Sequence, residues 1–143
     1  MEFINHLFFS FISTFGFAVM FNIPKKQIFS ASILGSTGWL IFHFYSVYSS
    51  TSIISAFWGS LAVGILGEFL ARYKKQPATI FIIPGIIPLV PGAGMYYTMD
   101  NLVQNKLTKA AEIGIETFMI ALSIAIGIIL ATSVSKVLKK TIK

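Results

Sequence analysis

The segment Ile83-Pro84-Gly85-Ile86-Ile87-Pro88-Leu89-Val90-Pro91-Gly92-Ala93-Gly94 decides how this chain folds. It lies in an uncharged, apolar stretch between Gln76 and Asp100 that opens with a further proline, Pro77. Each interior proline removes a backbone donor and crowds the turn before it, so a helix carrying three of them in succession does not stay regular. Carbonyls freed at membrane depth must be satisfied by protein or by a water-filled cavity, which makes a broken apolar segment a pointer to a substrate or ion site. Pro84, Gly85, Pro88, Pro91, Gly92 and Gly94 are therefore the expected lining of a substrate pathway.

Outward from this segment, composition sets the medium. Hydrophobic residues make up 55% of the chain and charged residues 11%, with a mean hydropathy of +0.80. A small soluble domain has too little polar surface to cover that much apolar side chain. The expectation is an all-α integral membrane protein: one membrane domain over residues 1–143 with five transmembrane helices, the fourth broken by Pro and Gly. At roughly 20 residues per crossing, the spans fall at about 4–21, 27–48, 52–72, 79–97 and 113–135. A polar stretch at about 100–112, with Leu102, Val103, Leu107 and Ala111 on one face and Asp100 as N-cap, reads as an interfacial helix. The 143 residues leave no room for a soluble enzyme domain. The first apolar run has its cations, Lys25 and Lys26, behind it, the reverse of a cleavable signal, and so reads as a permanent span. Cysteine is absent, which excludes disulfides, thiolate metal sites and a cysteine nucleophile.

Basic residues orient the spans. Lys25 and Lys26 occupy the first loop, Arg72, Lys74 and Lys75 the third, and Lys136, Lys139, Lys140 and Lys143 the tail. Only Lys106 and Lys109 lie in the fourth loop, beside Asp100 and Glu112. An excess of cations on the cytoplasmic side places the N-terminus outside and the C-terminus inside. Juxtamembrane lysines facing anionic lipid account for the net charge of +6 without a nucleic acid partner.

Few polar side chains enter the spans. Glu68 either pairs with Arg72 one helical turn away or carries a proton or meets a substrate ammonium. Glu116 follows Glu112 by one turn; the two acids either hold a proton between them for coupling or are solvated at the outer interface. His43 has no second metal-ligating residue at ligand spacing and reads as a packing residue, and so does Trp39. The chain has no His-carboxylate pair at helical spacing, no serine-histidine constellation and no metal set, so it does not read as an enzyme, and no cofactor is implied. Small residues recur at close-packing spacing, as in Ser32 with Ser36, Gly35 and Gly38 beside Trp39, and Ser60 with Gly64 and Gly67.

Three runs resemble the threonine/serine exporter family: Phe15-Gly16-Phe17-Ala18-Val19-Met20-Phe21-Asn22-Ile23-Pro24, Leu34-Gly35-Ser36-Thr37-Gly38, and Ile86-Ile87-Pro88-Leu89-Val90-Pro91-Gly92 continuing to Tyr96. The chain looks most like the small-subunit branch, which corresponds to the C-terminal half of fused threonine/serine exporters and to the small component of two-part dicarboxylate exporters. The resemblance implies a multi-pass protein of the bacterial cytoplasmic membrane that exports a small polar metabolite together with a larger membrane subunit. It adds Asn22 and Tyr96 to the expected pathway residues. An odd number of spans is the geometry of one half of an inverted pair, so the larger subunit is expected to be an inverted counterpart. A homo-oligomer, or an accessory subunit that does not itself transport, is the alternative.

Overall fold

The computed structural model describes residues 2–49 and 51–141. They form α1 (Glu2–Met20), α2 (Lys25–Ser49), α3 (Ser52–Lys74), α4 (Thr79–Ile86), a 3₁₀ turn (Ile87–Leu89), α5 (Gly92–Val103) and α6 (Leu107–Thr141), with no strand among the described residues. α2, α3 and α6 are long and apolar enough to cross a membrane. α4 with its 3₁₀ turn and α5 together make a fourth candidate, bent by 51°. The apolar part of α1, Ile4–Met20, is shorter than these.

Three helices end in the same way. Asn22, Lys75 and Asn105 take the left-handed conformation, with φ of 53°, 53° and 56°. After α1, Asn22 N–H donates to Val19 O (3.0 Å) and Ile23 N–H to Ala18 O (3.1 Å). The same pair of bonds closes α3 at Lys75 and Gln76 and α5 at Asn105 and Lys106. These bonds satisfy the last carbonyls of each helix. Among the described residues no glycine has a positive φ. The glycines serve instead where helices cross.

Those crossings fix the direction of every helix. Thr14 of α1 lies against Gly35 of α2, and the His6 ring lies beside that of His43, so α1 and α2 are antiparallel. Tyr45 of α2 stacks on Trp58 of α3 at 5.4 Å, Gly38 approaches Gly59, and Leu34 reaches Gly67, so α2 and α3 are also antiparallel. α3 and α6 differ. Ser123 Oγ donates to Ile53 O (2.6 Å), Gly127 meets Ser60, Ala131 meets Gly64, and Ser135 lies between Glu68 and Arg72. Both helices advance together along this seam and are therefore parallel. Small residues every fourth position on α6 let the two backbones close, the usual basis of association where lipid provides no hydrophobic drive.

A chain joining two parallel helices has to travel back along them. The broken segment does so: Ile82 packs on Gly67 and Leu89 on Gly59, antiparallel to α3. The core where these elements meet contains Ala31, Leu34, Ala56, Val63, Ala71, Phe81, Leu89 and Ile124. Outside it, side chains such as Phe69, Phe118, Ile129 and Leu130 are exposed, an apolar surface suited to lipid. The alternating directions gather Lys25, Lys26, Arg72, Lys74, Lys75 and Lys136 at one end of the bundle. The side chains of Lys139, Lys140 and Lys143 lie outside those described.

The polar stretch 100–112 does not form the separate interfacial helix expected for it. Residues to Val103 complete α5, and residues from Leu107 begin α6. Asp100 is not an N-cap but sits inside α5, where its Oδ2 accepts from Gln104 Nε2 (2.9 Å). The left-handed turn at Asn105 divides the stretch, and the apolar face attributed to one helix belongs to two.

Candidate functional site

The break is built from missing amides. In a regular helix, residues 84, 88 and 91 would donate to the carbonyls of 80, 84 and 87, and all three are prolines. The helix tightens to recover two of these carbonyls: Ile87 N–H donates to Pro84 O, and Val90 N–H to Ile87 O (3.1 Å). Val90 is then extended, with ψ of 128°, and α5 restarts after Pro91. A new helix start leaves amide donors without partners four residues back. Gly92 N–H turns back onto Val90 O (2.8 Å), so the break offers donors at Ala93 and Gly94 more than the free carbonyls that the prolines alone suggest.

A cavity of 330 Å³ opens there. Its walls are the chain from Pro88 to Gly94, Trp39 and Phe42 of α2, Ser52 of α3, and Ile113, Glu116, Thr117 and Ile120 of α6. An alanine Cβ at Gly92 would meet nothing within 4 Å, whereas one at Gly94 would strike Thr117, whose Oγ1 is held by a bond to Ile113 O (2.6 Å). Gly92 borders open space, and Gly94 is where α5 and α6 touch. The site therefore joins an apolar wall, a helix N-terminus and one carboxylate.

The remaining expected pathway residues lie elsewhere. Pro84 is fully buried inside α4, and Gly85 packs against Val63 and Leu34. Tyr96 is exposed beyond the cavity, its ring 5.5 Å from that of Tyr97. Asn22 terminates α1 at the basic end and borders a different, open cavity of 600 Å³ with Pro24 and Lys25.

Glu68 is also distant from the break, at the end of the α3–α6 seam. Ser135 Oγ donates to Glu68 Oε2 (3.1 Å), while Arg72 Nη2 donates to Ser135 O (2.6 Å) and to Ser135 Oγ. The two charged groups that one helical turn would pair are joined through a hydroxyl on another helix. Ser135 had no sequence signal, because nothing local places residue 135 beside residue 68. His6 was likewise missed. It stands almost as far before the turn at Pro24 as His43 stands after it, so folding the sequence back on that turn brings the two together.

No solved structure matches the chain. A relative from Haemophilus influenzae, itself described only as an uncharacterized protein, is 29% identical over 105 residues, which is 73% of this chain and 35% of that protein. The chain thus spans about a third of that relative's length. The family model for threonine/serine exporters matches residues 6–134, nearly the whole sequence and all of the break, and the chain belongs to the threonine/serine exporter family, ThrE.

Proposed function

We propose that the chain is a membrane subunit of a secondary exporter of small polar metabolites, lodged in the bacterial cytoplasmic membrane and working with a larger, inverted membrane subunit. The cavity at the break carries this reading. The start of α5 presents amide donors and the positive end of a helix dipole to it, and Glu116 presents a negative charge. A zwitterionic amino acid matches both ends, its carboxylate toward the amides of Ala93 and Gly94 and its ammonium toward Glu116. A dicarboxylate matches the first and is repelled by the second. Within the family's range the site therefore favours threonine- or serine-like substrates over dicarboxylates. The volume is that of a small-molecule site.

The parallel seam between α3 and α6 supports a five-span arrangement, because the segment between them returns along the bundle and does not turn back on its own side. The cations at one end favour that end as cytoplasmic. The relative's extra length leaves room for a second unit of the kind an inverted pair requires.

Export of threonine, serine and succinate from proteoliposomes tests the reading, with this chain alone and together with its larger subunit. Threonine export by the pair, with Glu116→Gln weakening threonine and relatively favouring succinate, is the expected result. Threonine export untouched by both Glu116→Gln and closure of the cavity at Gly92 would make this chain an accessory subunit and place the site in the partner.

A further inference from the structure

His6 of α1 and His43 of α2 face each other with ring centroids 4.1 Å apart and planes inclined by 32°. Trp39, one turn before His43, donates its indole N–H to His6 Nδ1 at 3.4 Å. Beside them lies a second cavity, of 210 Å³, lined by His6, Phe9, Ser10, Ser13, Trp39 and Pro88. Two of these residues, Trp39 and Pro88, also wall the cavity at the break. The pair therefore stands one side chain away from the proposed substrate.

We propose that His6 and His43 form a proton-binding site whose occupancy is linked to the broken-helix cavity through Trp39. The linkage follows from the hydrogen bond. Nδ1 accepts the indole proton only while it carries none of its own, so the observed contact belongs to neutral His6 bearing its proton on Nε2. A proton taken up at His6 Nδ1 turns that atom into a donor and breaks the bond to Trp39. Trp39 rests on Phe42 at 5.2 Å, and both rings form the cavity wall; releasing the indole frees that wall to move.

Among the described side chains, few other groups compete for the proton. Along α1, Glu2 lies one turn before His6 in the sequence, and on α2 the nearby Tyr45 stacks on Trp58. The 3₁₀ turn contributes Pro88 and no titratable group. α3 and α4, which pack on α2, place Glu68 and Arg72 at the opposite end and no charge within α4. Glu116 of α6 borders the neighbouring cavity and is not among the residues lining the one beside His6.

The linkage to substrate rests on the proposed transport site; proton binding does not, and the two are measured separately. In the full chain reconstituted in lipid vesicles with Trp58→Phe, tryptophan emission comes from Trp39 alone. As the pH is lowered, Trp39 emission is expected to pass through a step that is lost in His6→Gln and altered in His43→Gln. Emission at the alkaline limit reports whether each variant keeps its fold. A step unchanged in both variants overturns the proton site, whatever the chain transports. Threonine is expected to move the midpoint of the step. If threonine protects a cysteine at Ala93 from a thiol reagent yet leaves the midpoint fixed, the site binds a proton but is not linked to the substrate. If threonine does neither while the step is lost in His6→Gln, the proton site stands and the transport reading fails. Trp39→Phe, which keeps a ring in the wall and removes the donor, is expected to remove the dependence on pH from whatever transport the variant keeps.

Discussion

Gly92 and Gly94 are two residues apart and do different work. An alanine at Gly92 projects into open space, so Gly92→Ala should leave thermal stability in detergent unchanged and reduce export by narrowing the cavity. Gly94→Ala drives a methyl into a threonine whose rotamer is already fixed, at a cost of about 1–3 kcal/mol for overpacking. Its melting temperature should fall before any effect on export is read, and equal melting of the two variants would refute the division. At Glu68 the bridge by Ser135 sharpens a question that the sequence left open. Glu68→Gln keeps an acceptor for Ser135 Oγ and removes only the charge, while Ser135→Ala removes the bridge, a loss of about 1 kcal/mol. If Glu68 couples an ion to transport, the first variant should lose export and the second should keep it. Similar, small losses in stability with export preserved in both would make Glu68 a structural residue.

At the scale of elements, the break was legible because proline acts through its own covalent structure, and no tertiary contact restores an absent amide. What replaced the lost bonds was not legible. The 3₁₀ bonds at Pro84 and Ile87 depend on how far Ile86 to Val90 tighten, and the result shifts the polar lining from carbonyls to amides. The turn at Asn105 was missed for a related reason: asparagine tolerates a left-handed φ but does not demand it, so the polar stretch reads equally well as one helix or as two helix ends. Cysteines placed singly along the break test the result. A cysteine at Ala93, exposed at the cavity, should react with a water-borne thiol reagent and be slowed by threonine, whereas one at Leu89, 3% exposed and packed near Gly59, should stay inert. Fast labelling at Leu89 with none at Ala93 would reverse the assigned faces.

For the whole molecule, an alternation of basic loops with neutral or charge-balanced ones carries the proposed orientation, and a reporter tests it directly. Fused after Lys143, a cytoplasmic reporter should be active, and one inserted near Asn105 should be active only in its external form. Activity on the same side at both sites would mean that residues 79–97 do not cross. The direction of packing was beyond the sequence, since nothing in α3 announces that its closest companion is a parallel helix emerging much later. That delay has a consequence for biosynthesis. Arg72 and Ser135 are 63 residues apart, and at ribosomal rates the second is made roughly 3–13 s after the first. Until then the new α3 enters the bilayer with Glu68 and Arg72 on one face and no hydroxyl between them. The direct pairing suggested by their spacing is then open to them, a provisional clasp for the nascent chain until α6 arrives with the hydroxyl that bridges the two groups.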